Sequence, residues 1–178
     1  MKKILAFAAV ASFCILNFAY TGCTVSYGFS EKNTKLPDSI KTINVRIVQQ
    51  GNQGYVNPQL ITNLTDRLKQ KVVRQTKLTQ VNSDNAHLDI TSVVRDYSVT
   101  TAGVSSGNNQ SQASVNRLTV SIQVTITNQL SGEVKEHTVS RSFDFSARQS
   151  LNQAESQLMD EMVRNLSDEI FNRIFSDW

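Results

Sequence analysis

From residue 43 the chain alternates. Ile43, Val45 and Ile47 are apolar, Asn44 and Arg46 between them are polar, and the turn-rich run Gln50-Gly51-Asn52-Gln53-Gly54 follows. A period of two predicts a half-buried strand closed by a turn. The period then lengthens to that of a helix. Asn57 before Pro58 makes an N-cap with proline at the first helical position, and Leu60, Ile61, Leu64, Leu68 and Val72 form one stripe, so a helix is expected to about Arg74. Leu78 to Val81 begins a second strand, Asn82-Ser83-Asp84-Asn85 interrupts it, and Leu88, Ile90 and Val94 resume it. Leu88 and Ile90 share one parity whereas Tyr97 and Val99 share the other, a slip near Ser92-Val93 that a bulge or a change of partner explains.

The cleanest alternation is Leu118, Val120, Ile122, Val124 and Ile126 against Thr119, Ser121, Gln123, Thr125 and Thr127, which makes one sheet face apolar and the other rich in hydroxyls. After a turn at Asn128 to Gly132, Val139, Phe143 and Phe145 continue as an antiparallel hairpin partner. A last helix begins at Ser150 with Gln153 three on, or at Asn152 with Glu155 three on, either pair being a capping box. Its stripe is Leu158, Met162, Leu166, Ile170 and Ile174, widened by Met159, Val163 and Phe171. The order β-α-β-β-β-α predicts an α+β fold: a two-layer sandwich with a four-stranded mixed sheet and both helices packed on one face.

The amino end obeys a different logic. Met1, Lys2 and Lys3 precede an apolar run from Ile4 to Phe18, the layout of a secretory signal and too short for the ~20 apolar residues of a membrane helix. Tyr20-Thr21-Gly22-Cys23 resembles the lipobox cut by lipoprotein signal peptidase, although Tyr20 stands where leucine is usual. Cysteine usage fits that reading. The chain has two cysteines, Cys14 leaves with the leader, and Cys23 would otherwise be an unpaired thiol in an oxidising compartment. Residues 1–22 are therefore expected to be a signal peptide, 23–38 a tether lipidated at Cys23, and 39–178 a single domain. Stable anchoring needs more than one acyl chain, since each buried methylene contributes only ~0.8 kcal/mol. Thr24 and the lack of an acidic run after Cys23 resemble outer-membrane lipoproteins on the periplasmic side.

Charge narrows the partners. The 18 basic and 15 acidic residues differ by three, and Lys2 and Lys3 belong to the leader, so the mature chain is nearly neutral and no nucleic-acid partner is expected. His87 and His137 are the sole histidines, and no phosphate loop, paired catalytic set or metal-ligand spacing occurs in the sequence, so neither enzyme activity nor a cofactor is expected. Glu155, Asp160, Glu161, Asp168 and Glu169 read as a solvated helix face.

Two regions remain as candidate contacts. Arg67, Lys69, Lys71, Arg74 and Lys77 form a basic run in which 67, 71 and 74 share a helical face. That face either receives phosphates or lies beside the acidic final helix, and the helix neighbour is favoured. Residues 101–116, TAGVSSGNNQSQASVN, carry no charge and are expected to be a long loop between strands, flanked by Arg95 and Arg117 at one end of the sheet.

The lipobox, "KTINVRIV", "NPQLITNLTDRL", "RLTVSIQVTITN" and "AESQLMDEMVRNLSDEIFNRIF" together resemble the LptE family of outer-membrane lipopolysaccharide-assembly lipoproteins, over roughly residues 23 to 178. The resemblance implies a small α+β plug inside the β-barrel translocon LptD, assisting that barrel's assembly and binding lipopolysaccharide. The family's lipopolysaccharide contacts do not align to a local motif here, so Arg95, Arg117, Arg67 and Lys71 stand as candidate lipopolysaccharide or partner contacts on their own chemistry. A free periplasmic lipid- or glycan-binding lipoprotein is the alternative, and it is expected to need a pocket lined with aromatics.

Overall fold

The computed structural model describes residues 36–52, 54–107 and 110–176. In chain order they form β1 (Thr42–Val45), β2 (Gln49–Gln50), α1 (Pro58–Gln75), β3 (Thr79–Gln80), β4 (Leu88–Gly107), β5 (Gln110–Asn128), β6 (Glu133–Ser146) and α2 (Leu151–Ser176). The sheet runs β3-β1-β4-β5-β6, with β2 paired to β4. Pairings of β1 with β3, β1 with β4 and β2 with β4 are parallel, while β4–β5 and β5–β6 are antiparallel. The fold is thus the expected α+β sandwich with a mixed sheet, with more strands than the four anticipated: β3 lies in residues 78–81, expected to open the second strand, but stands as a strand of its own, and β2 is new. With two residues, β2 is too short for alternation to register.

The helix boundaries follow from their caps. Asn57 Oδ1 accepts from the Gln59 amide at 2.9 Å, and Pro58 occupies the first helical position, where its missing N–H costs nothing. Of the two capping boxes open to α2, the structure takes Ser150 with Gln153: the Ser150 amide donates to Gln153 Oε1 at 3.1 Å and the Gln153 amide to Ser150 Oγ at 3.4 Å. Leu60, Leu64, Leu68 and Val72 of α1 and Met162, Leu166, Ile170 and Ile174 of α2 are buried against Leu118, Val120, Ile122, Val124 and Ile126 of β5 in one core. Because that core takes the even positions of β5, both helices lie on the same side of the sheet.

Two sequence expectations change, and one alternative left open is decided. Ile47 is 65% exposed rather than in the core, because β1 ends at Val45 and the buried parity passes to Val48, whose amide donates to Thr65 Oγ1 at 3.0 Å. The phase slip in β4 is a bulge, centred on Arg95: Val94 pairs with Ile122 and Asp96 with Ser121, leaving Arg95 unopposed. Gly51 packs onto the same place. Its amide donates to the Val94 carbonyl at 3.1 Å, and a Cβ there would come within 2.4 Å of that oxygen, so only glycine fits.

The second change is the larger. Residues 101–116 are not a loop, since β4 and β5 continue as a ribbon through Thr101↔Asn116 and Val104↔Ala113 to Gly107↔Gln110, with register shifts around Gly103. Pairing with β6 starts at Val115↔Ser146, so beyond it the ribbon pairs β4 with β5 alone.

Candidate functional site

The side of the sheet opposite the helices is a polar surface built from the odd positions of β5. Arg117, Thr119, Ser121, Gln123, Thr125 and Thr127 are flanked in register by Thr100, Ser98, Asp96, Val93, Thr91 and Asp89 of β4 and by Asp144, Ser142, Ser140, Thr138, Glu136 and Val134 of β6. Threonine suits such a surface because its branched Cβ keeps strand preference while its hydroxyl stays available. Thr119 and Ser142 hydroxyls lie 3.0 Å apart.

Charges on this surface are fixed by neighbours. Arg117 grips Asp144 with two bonds of 2.6 and 2.8 Å, and these hydrogen bonds raise the arginine and hold the Asp144 carboxyl below the usual carboxylate range. Arg95 Nε donates to Gln123 Oε1 at 2.7 Å, and Gln123 Nε2 donates to Glu136 Oε2 at 2.9 Å. Arg95 and Arg117 therefore share a face but not an end of the sheet: Gln123 and Arg117 are six residues apart on β5, or ~20 Å. At the β1 margin Arg46 Nε reaches both oxygens of Asp89 at 3.0 and 2.8 Å, and another guanidinium nitrogen meets Asp84 at 2.8 Å. Those bonds raise the Arg46 pKa, with the Asp89 hydrogen bond contributing most.

A second arrangement lies in the helix layer. Arg67, Gln70, Lys71, Arg74 and Gln75 of α1 and Arg164 and Asp168 of α2 line a groove of about 240 Å³. Lys71 Nζ meets Asp168 at 2.5 Å and sits 5.1 Å from the centre of the Phe171 ring. The favoured helix-to-helix pairing thus exists at Lys71, while Arg67 shares the groove without joining that pair.

A third was missed in sequence. Glu155, assigned above to a solvated face, is 1% exposed. Its Oε1 accepts from the Tyr97 hydroxyl at 2.5 Å, and its Oε2 from Asn57 Nδ2 at 2.8 Å and the Tyr55 hydroxyl at 3.2 Å. Asn57 serves two helices at once, capping α1 with its oxygen and bonding Glu155 of α2 with its nitrogen. Burial first, then the neighbouring carboxylate, raise the pKa of both tyrosines. The available signal was positional: Glu155 lies three and four residues before Leu158 and Met159, on the apolar stripe itself.

Cys23 lies outside the described residues. Among the described residues no group of three or more His, Cys, Asp or Glu could hold a metal ion, and no helix is long and apolar enough to cross a membrane.

Against known proteins, the family model described as LptE, lipopolysaccharide-assembly, matches residues 40–174. No curated protein matches. Among solved structures, an uncharacterized lipoprotein B from Nitrosomonas europaea is 13% identical with a TM-score of 0.51, over 77% of this chain and 83% of that one. The rare lipoprotein B from Shewanella oneidensis is 12% identical with a TM-score of 0.50, over 75% of this chain and 94% of that one. At these identities the likeness is one of fold.

Proposed function

The chain belongs to the LptE family of lipopolysaccharide-assembly proteins, and from that premise we propose that it is an outer-membrane lipoprotein that plugs an LptD-type β-barrel, helps that barrel assemble and takes part in carrying lipopolysaccharide to the cell surface. The observation that supports the plug reading is the polar side of β4, β5 and β6, which neither helix covers. A barrel lumen is polar and its lipid-facing wall apolar, so a domain lodged inside needs a broad hydrogen-bonding surface and little exposed grease. The Thr119 to Thr127 face supplies hydroxyls and amides whose charged members are already neutralised in pairs such as Arg117 with Asp144. In this reading residues 1–22 are removed, the acyl chains on Cys23 anchor the protein, residues 23–38 span from lipid to barrel, and 39–178 form the plug. Arg95 and Arg117 are its proposed contacts to the barrel or to lipopolysaccharide on the sheet side.

The test is position-specific. A photo-crosslinking amino acid placed at Thr125 in living cells is expected to trap a large barrel protein. Loss of the Thr125 adduct overturns the plug reading. Intact mass of the purified protein tests the anchor separately: two or three acyl chains on Cys23 are expected, and a free thiol refutes the lipidation.

A further inference from the structure

The arginines of the groove between α1 and α2 have no carboxylate of their own. Lys71 takes Asp168, the one acid in the lining. Of the other acids of α2, Glu155 accepts from two tyrosines and an asparagine, Glu169 pairs with Arg141 at 2.6 Å and Arg173 at 3.4 Å, and Asp160 and Glu161, about one turn before Arg164, are exposed and make no ion pair with it. Among the described residues, the side chains of Arg67, Arg74 and Arg164 make no ion pair or hydrogen bond. Solvation of a helix C-terminus explains part of this for Arg74, which stands in the last turn of α1 and suits the dipole there. Arg67 and Arg164 sit in the middle of their helices, where the dipole does not reach, and their exposed side chains are open to water and to an anion. Cations lining one groove attract a negative group, most strongly at low salt.

The choice of cation is also uneven. Along the basic run, Arg67 and Arg74 line the groove, whereas Lys69 and Lys77 do not. Guanidinium forks match the paired oxygens of phosphate, while an ammonium acts as a point charge. Lys71 has only 14% of its side chain exposed and is fixed by Asp168 and Phe171, so it presents a positioned positive floor. At 240 Å³ the groove falls below the ~300–1,000 Å³ of drug-sized pockets, which suits a compact anionic group.

We propose that this groove binds a phosphomonoester or pyrophosphate group through Arg67, Arg74 and Arg164, with Lys71 beneath. Such a group comes either from a lipid headgroup or from free phosphate. The site lies in the helix layer, on the far side of the sheet from the proposed barrel contact, so it stands or falls apart from the plug reading.

The experiment uses the full chain in detergent. Calorimetry at low salt titrates inorganic phosphate and pyrophosphate, and flotation measures binding to phosphatidylcholine vesicles with or without phosphatidic acid. Arg67→Gln and Arg164→Gln are expected to weaken binding about tenfold each, and Lys69→Gln, with the same change in net charge, less than about twofold. Asp168→Asn removes the competing carboxylate and is expected to tighten binding, an outcome that misfolding does not produce. Binding to the soluble anions identifies the bare group as sufficient, and binding to the phosphatidic acid vesicles alone identifies a headgroup in a bilayer. The proposal is overturned by no binding in either arm, by Lys69→Gln losing as much as the arginine variants, or by weaker binding in Asp168→Asn.

Discussion

Strand β5 carries two surfaces on one backbone. Leu118, Val120, Ile122, Val124 and Ile126 point into the core and are at most 2% exposed, while Thr119, Ser121, Gln123, Thr125 and Thr127 point away and are partly exposed. Both sets share the same ladder to β4 and β6, so the hydrogen-bonded framework is common to them. Each inward side chain contributes ~1.5–3 kcal/mol by leaving water, and each outward one contributes little to folding. The outward face is therefore free to be shaped by what it meets.

The sharpest way to break the contrast is a deletion on the inner side. Ile122 is fully buried, with Val94 and Val139 as its register partners across the sheet. Ile122→Ala is expected to cost about 3 kcal/mol, the lost transfer energy plus a cavity. Denaturant unfolding measures it, and a loss under 1 kcal/mol would mean that the core is far looser than its burial implies.

Glu155 is among the few polar residues buried with the core, and the second prediction tests its place there. Glu155→Ala removes the acceptor for Tyr97, Asn57 and Tyr55 at once, leaving the half-buried Tyr97 and Asn57 donors without their partner while the exposed Tyr55 turns to water. The expected loss is about 2 kcal/mol. A solvated helix-face carboxylate would lose almost nothing, so the same unfolding measurement decides between the two descriptions.

What the sequence disclosed was what burial enforces. The stripes of α1 and α2 and the alternation of β5 and β6 were legible because each places apolar groups at a fixed period against one core. Where burial stops, so does legibility. The ribbon of 101–116 reads as a loop because its sequence carries no charge and no apolar alternation although its backbone is paired, and β2 is too short to show a period. Ile47 failed for the opposite reason: the alternation continued in sequence after β1 had ended. In the site, Lys71 found the acidic helix as its spacing suggested, but Arg164 was invisible, since only packing of α1 on α2 brings it to the same groove. Glu155 was misassigned because helix-face reasoning ranked its charge above its position on the stripe.

Tyr97 gives a smaller and pH-dependent effect. Its folded pKa is raised, chiefly by burial and then by Glu155. A group raised on folding contributes stability that is fully present below its unfolded pKa of ~10 and is lost as pH climbs toward the folded value. Thermal midpoints should therefore fall as pH rises above about 10. Tyr97→Phe should cost about 1 kcal/mol at pH 7 through the lost hydrogen bond, and its midpoint should fall less steeply with alkali. An unchanged slope would assign the alkaline loss to other groups.

On the outer face the smallest change in stability carries the most about function. Thr119 stands opposite Ser98 on β4 and Ser142 on β6, with no acid directly across from it on either strand. Thr119→Arg replaces one exposed hydroxyl contact with a long solvated chain, so unfolding should shift within about 0.5 kcal/mol. A surface that merely faces solvent would tolerate the same change in cells. A surface packed inside a barrel would not, because the new charge loses its water without gaining a partner. Recovery of the barrel with the tagged, acylated variant should drop at least about tenfold if docking loses 1.4 kcal/mol or more. Wild-type recovery from a variant of unchanged stability would separate this face from the partner and move the search to the ribbon and the helix layer.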